Sequence, residues 1–354
     1  MENEKRIQQL IDKLTLKEKV SLLSGRDIWY TVPIDRLGIP SIVMTDGPHG
    51  VRASNPEVGR KVEPTTAFPT GISMGASWNP ELIEQVGQAL GEETRGMGCD
   101  ILLGPCVNIV RYPLGGRNFE TYSEDPYLAG RTAVAYIKGV QSRGVGTSLK
   151  HYALNNYEIE RFRASTRVDE RTMREIYLPA FEMAVKEADP WTVMCSYNRI
   201  NGVYASENAY LLRTILKEEW GYEGAVISDW GAVHNIFESI KNGLDLEMPG
   251  PAKYHKLLHE TAQNWQIDEE VINDSVRRLL RLISRTGRMI GKMQKGAVNT
   301  AGHQSLARKL AEESITLLKN ENDVLPLNLK PGQTLAVIGP NAANAVIEVA
   351  AHPG

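Results

Sequence analysis

The stretch 224–234 reads GAVISDWGAVH. Four small or β-branched residues, Ala225 to Ser228, run straight into an acid and a tryptophan, Asp229 and Trp230. A run without polar alternation fits a strand covered on both faces, as in a parallel sheet. A carboxylate at its end suits the mouth of such a sheet rather than its body. Similar runs recur along the chain: PSIVMTD (40–46), TGISMGAS (70–77), CDILLGP (99–105), VGTSLKH (145–151), WTVMCSYN (191–198) and NGLDLEMPG (242–250). Most are β-branched or small and bounded by Gly or Pro, so each is expected to be a strand.

Amphipathic helical stretches separate most of these runs. One opens on Asn79 as cap with Pro80 at the first helical position. Another opens on Asp169 with apolar residues at i, i+3, i+4 spacing, and 207–219 is similar. Strands alternating with helices predict parallel βαβ units. Seven runs before residue 250 favour a TIM-like (β/α)8 barrel over a doubly wound sheet. The first run ends in TDGPHG, which lacks the glycine fingerprint of a dinucleotide-binding turn. Residues 1–290 are thus expected to be the barrel and 291–304 a linker. Residues 305–354 are expected to begin an α/β sandwich domain, with a helix and the strand TLAVIGPN. About 50 residues are too few to close a core, so that domain is expected to be truncated.

Composition narrows the function. The chain has 354 residues, 42% hydrophobic, and a formal net charge of −3. No Lys/Arg stripe speaks for nucleic acid, and no run of about 18 apolar residues speaks for a membrane span. The start, MENEKRIQQL, lacks the apolar core of a signal peptide, so a cytoplasmic location is expected. Cys99, Cys106 and Cys195 form no CxxC pair and are read as reduced, partly buried thiols.

In a parallel barrel the chemistry sits at the C-terminal strand ends. There the chain places Asp46, Arg117, Glu120, Lys150, His151, Tyr197, Asn198, Asp229, Trp230 and Glu247. Some rim residues have plainer readings. Ser123, Glu124 and Asp125 are expected to start a helix. His255 and His259 have metal-like spacing but no third ligand, so an exposed helix face is expected. Lys150 could serve as a Schiff-base lysine, but with His151 and Arg161 nearby, a clamp for an anion or a polyhydroxyl compound is equally compatible. The ensemble of acids, cationic donors and tryptophan suits a sugar, whereas a phosphate site would more often show a Gly-rich turn at a helix start.

Read together and in order, TDGPHGVR, FPTGISMGASWN, GRNFETYSEDP, KHYALNNYE, MCSYNRING, VISDWGAVH and SITLLKNENDVLPL resemble glycoside hydrolase family 3 of the β-glucosidase type. The likeness covers essentially all of residues 10–341. It implies a barrel followed by an α/β sandwich domain. It also implies retaining hydrolysis of terminal β-linked glucosyl or related residues, with no metal or organic cofactor. It makes Asp229 the nucleophile and Asp46, Arg117, Lys150, His151, Arg161, Tyr197 and Trp230 the contacts to the sugar. The general acid of that type is a glutamate in the second domain, past the end of this sequence. The histidine dyad of the N-acetylglucosaminidase type follows a KHFPGHG-like stretch, and KHYALNN departs from it. The implied partner is a β-glucoside, and a second chain or segment would have to carry the rest of the sandwich domain. The tail NAVIEVAAHPG departs from the family's Gly- and Ser-rich continuation. Two other readings stand beside this one: a sugar-binding or vestigial barrel without turnover, and a lyase or aldolase built on Lys150.

Overall fold

The computed structural model describes residues 2–52, 64–250 and 267–343. Five parallel strands lie side by side in chain order: β1 (Met44–Thr45), β2 (Ile101–Leu102), β3 (Gly146–Tyr152), β4 (Thr192–Cys195) and β5 (Ala225–Ser228). The register sets Met44 beside Ile101, Ile101 beside Gly146, Leu149 beside Val193, and Val193 beside Val226. All four residues of β4 and of β5 are buried. Helices wrap the sheet between strands: α4 (Pro80–Gly96), α5 (Pro126–Gln141), α6 (Pro179–Ala188) and α7 (Tyr210–Glu219). α4 and α5 pack so closely that a Cβ on Gly87 would stand 2.5 Å from the Tyr136 carbonyl oxygen.

The rest of the ring is closed by short segments. Leu246 bridges in parallel to Ile227, and Glu247 in parallel to Ser24. Gly25 then pairs antiparallel with Thr31, and Tyr30 antiparallel with Val43, next to β1. The structure is therefore a TIM-like barrel in which one stave, around residues 29–31, runs against the others. The cause is local. Asp27 Oδ1 accepts from the amides of Trp29 and Tyr30, both at 2.9 Å, and folds the chain straight back. A connection that short can make only an antiparallel pair, because a parallel return needs a crossover of a dozen residues or more.

One expected strand is a helix. The run 70–77 contains α3 (Gly71–Ala76). Its buried residues, Gly71, Met74 and Gly75, recur with helical spacing. The glycines let the helix lie on the backbone of the 120–122 loop: a Cβ would stand 2.3 Å from Glu120 O at Gly71 and 2.2 Å from Tyr122 O at Gly75. Close approach, not strand propensity, explains the small residues.

The caps lie where the sequence signals lie. Asn79 accepts from the Leu82 amide, Asp125 from Leu128, and Asp169 from Thr172. Ser123 accepts from the Asp125 amide. α9 (Glu269–Arg285), after α8 (Ile236–Lys241), packs on α1 (Glu2–Lys13) and α2 (Leu16–Leu22). His255 and His259 lie outside the described residues, as do residues 344–354.

Beyond α9 the segment 292–300 is extended but attached to α4. Ala297 N donates to Glu92 O, and Asn299 N to the buried Glu93 carboxylate, at 3.2 and 2.9 Å. α10 (Ala301–Ser314) docks through His303, whose ring nitrogens lie 2.9 Å from Glu93 and 3.2 Å from Glu92. Past Ser314 the packing ends. Leu318 and Ile338 are each 92% exposed, and 334–341, expected as a strand, forms no ladder among the described residues.

Candidate active site

The barrel rim brings all eight sequence-predicted site residues into one contiguous network. Lys150, at the end of β3, donates to Asp46 Oδ1 at 2.9 Å. Arg52 stands 4.0 Å from the other Asp46 oxygen. Burial alone would raise the Asp46 carboxyl, but the Lys150 ammonium outweighs it and holds it below the ordinary value. The same pairing works on Lys150. Burial pulls its pKa down, Asp46 and Glu120 pull it up, and the net direction is up. Lys150 is thus a charged ammonium, whereas a Schiff-base lysine must be a free amine. This removes the structural basis of the aldolase reading.

Arg117 is ion-paired with Glu120, and its Nη2 lies 2.9 Å from His151 Nε2. Burial is the largest single influence on Arg117 and opposes its charge, but Glu120, Glu158 and Asp229 together outweigh it, so its pKa is raised. His151 is fully buried, and burial together with Arg117, Lys150 and Arg161 holds it well below the usual imidazole value. Arg161 pairs with Glu158 and lies 4.7 Å over the Tyr197 ring. Tyr197 donates to Trp230 O at 3.1 Å, and burial followed by the nearby Asp229 raises its pKa, so it stays a phenol. Trp230 donates from Nε1 to Ile28 O and stacks obliquely on Trp29, with centroids 5.4 Å apart.

Asp229 sits at the centre of this network. Its backbone continues the ladder, with N donating to Cys195 O at 3.1 Å. Its Oδ1 accepts from the Trp230 amide at 2.8 Å. Its Oδ2 is buried with no hydrogen-bond partner among the described residues, and His151 Nε2 is 3.7 Å away. The Arg117 and Lys150 charges favour the anion. Burial is nevertheless the larger influence, and the net pKa lies above the ordinary carboxylate value. The Tyr197 hydroxyl faces the same carboxylate and, like the cations, favours its anionic form.

Sequence reasoning missed Asn108 and Trp29. Asn108 is buried against His151. No strand-end signal marks either residue: Asn108 lies past β2 in a loop, and Trp29 is on the reversed stave. Glu120 and Glu158, the loop carboxylates nearest the site, are both committed to arginines. Among the described residues no group of three His, Cys, Asp or Glu could hold a metal ion.

Residues 14–282 match the family model described as glycosyl hydrolase family 3 N terminal domain. A thermostable beta-glucosidase B of Acetivibrio thermocellus is 49% identical over 339 residues, covering 94% of this chain and 44% of that protein. An exo-alpha-(1->6)-L-arabinopyranosidase of Bifidobacterium breve is 45% identical over 341 residues, covering 93% and 45%. The structure of beta-glucosidase 3B from Thermotoga neapolitana in complex with glucose superposes with a TM-score of 0.87 at 40% identity, covering 91% of this chain and 48% of that one. The chain therefore spans a little under half the length of these relatives.

Proposed function

The chain belongs to glycosyl hydrolase family 3, and from that membership and the rim geometry we propose that it carries the nucleophile half of a retaining β-glycosidase. The substrate class is a glycoside with a terminal β-linked glucosyl or related residue. The observation that carries this reading is Asp229 Oδ2, buried at the mouth of the barrel with no hydrogen-bond partner among the described residues. In the proposed reaction Oδ2 attacks the anomeric carbon while Oδ1 stays held by the Trp230 amide. Asp46, Lys150, His151, Arg117 and Arg161 hold the sugar hydroxyls, and Trp230 offers an apolar face to the ring. The glucosidase and arabinopyranosidase relatives are similarly close, so the glycone is specified here only as glucosyl or related.

A retaining mechanism needs a second carboxyl roughly 5–5.5 Å from the first. Glu120 and Glu158 are engaged by arginines, so the general acid is proposed to come from outside these residues. The exposed apolar residues after Ser314 are the proposed attachment for a second chain or segment that would bring it. General acid catalysis contributes typically 10²–10⁴-fold. The chain alone is therefore expected to hydrolyse cellobiose negligibly, while an activated aryl β-glucoside, whose leaving group needs little protonation, reacts slowly. A 2-deoxy-2-fluoro glucoside should add one glycosyl mass to the protein, and Asp229→Ala should abolish that adduct. An adduct that persists in Asp229→Ala would refute the nucleophile. No aryl glycoside turnover and no adduct in the wild type would favour a sugar-binding barrel.

A further inference from the structure

We propose that Asn108 is a positioning residue that fixes His151 as the neutral Nδ1–H tautomer and thereby presents the lone pair on Nε2 to Arg117, holding that guanidinium at the sugar pocket. The assignment follows from who can donate to whom. Asn108 is 4% exposed, in the loop that bridges β3 where Cys106 pairs with Lys150. The His151 backbone N donates to Asn108 Oδ1 at 3.0 Å, and Asn108 Nδ2 donates to the His151 carbonyl at 2.9 Å. A backbone amide only donates and a carbonyl only accepts, so the side-chain amide has one permitted orientation. Its Oδ1 therefore also faces His151 Nδ1, at 3.0 Å. An oxygen acceptor there requires a proton on Nδ1. At the other side of the ring Arg117 Nη2 lies 2.9 Å from Nε2. A guanidinium has donors only, so Nε2 must be bare.

Two independent contacts thus select the same tautomer. The groups facing the ring agree with it: Arg117, Lys150 and Arg161 disfavour a second proton, and Asp229 Oδ2 stands off at 3.7 Å. The Cys106 thiol, 3.6 Å from Nδ1, is held protonated by burial, its pKa pushed up to about 12. Through His151, Asn108 also sets the pose of Arg117, whose Nε is paired with Glu120. With the Nε2 lone pair accepting from Arg117, the ring can neither donate to a leaving oxygen nor act as an acid, and its part is to hold the guanidinium at the sugar pocket. This use of the tautomer rests on the glycosidase reading, whereas the tautomer itself does not.

The test is ¹⁵N–¹H correlation of the histidine rings in the full chain, with His151 assigned by its loss in His151→Gln. Wild type is expected to show a protonated Nδ1 and a bare Nε2, unchanged from pH 5 to pH 8. A protonated Nε2, or an imidazolium at pH 7, overturns the proposal without any variant. Asn108→Leu should lose the single-tautomer pattern and lower kcat/KM on an aryl β-glucoside about tenfold or more, the scale of one buried hydrogen bond. Asn108→Asp keeps the acceptor, so it should restore Nδ1 protonation and part of the rate while adding a pH dependence absent from wild type. An Asn108→Leu protein that folds and keeps the wild-type ring pattern also overturns it. A wild-type chain with the expected ring pattern but no glycoside turnover would sink the functional reading and leave the tautomer standing.

Discussion

Two runs of nearly the same composition reach opposite states in this molecule. Residues 225–228, AVIS, form β5, with Ala225, Val226, Ile227 and Ser228 all 0% exposed. Residues 335–338, LAVI, form no ladder, with Leu335 at 53%, Val337 at 68% and Ile338 at 92% exposure. Local propensity does not separate them. β5 has β4 along one edge and the 245–247 segment along the other. The second run has no neighbour on either edge among the described residues. A strand is a fit to a half-built surface, not a property of the segment.

Amide hydrogen exchange should show this contrast at its largest. Core amides such as Val226 and Ile227 open only with the whole domain, whereas those at 335–338 are free. A difference of at least ~10³-fold in exchange rate is expected in the isolated chain. Equal protection would mean that the second run is paired in solution. Supplying the complementary segment in trans should close the gap.

Substitution sharpens the same comparison. Val226→Asp buries an unpaired charge and is expected to abolish folding, judged by soluble yield and far-UV dichroism. Val337→Asp should shift stability by no more than about 0.5 kcal/mol. A comparable loss at both positions would remove the distinction. Within the barrel, Asp100→Ala should cost about 3–5 kcal/mol in denaturant unfolding. The fully buried Asp100 binds Arg95, Arg288 and the Val43 amide at 2.7, 2.6 and 2.9 Å, and its loss strands the buried Arg95.

Glu247 gives a smaller, pH-dependent test. Burial raises its carboxyl from 4.5 to about 7, and its Oε2 has no hydrogen-bond partner among the described residues. The folded state therefore holds a proton that the unfolded state releases near pH 4.5. Stability is undiminished below pH 4.5, falls as pH rises toward 7, and stays reduced above it, by on the order of 3 kcal/mol. Glu247→Gln should raise the unfolding midpoint at pH 8 and leave it unchanged near pH 4. An equal gain at both values would show that the charge is not the cause. Least of all, Leu318→Ser, at a residue 92% exposed, should move the midpoint within error.

The sequence by itself determined the parallel strands, the helix starts at Asn79, Asp125 and Asp169, and the set of polar residues at the rim. These are local signals: buried runs, capping side chains and strand ends are each written in a few adjacent residues. Tertiary structure alone decided the rest. The glycines of α3 look like strand residues until the 120–122 backbone they pack against is in place. The reversed stave at 29–31 depends on a turn that sets it between Gly25 and Val43. The protonation balance at Asp229 is set by how deeply the closed barrel buries it, against Arg117 from the loop after β2 and Lys150 from β3. Asn108 matters only because a loop after β2 lies beside the end of β3. Each of these depends on groups far apart in the chain meeting at a few ångströms, and pair distances of that kind are set by packing rather than by neighbouring residues.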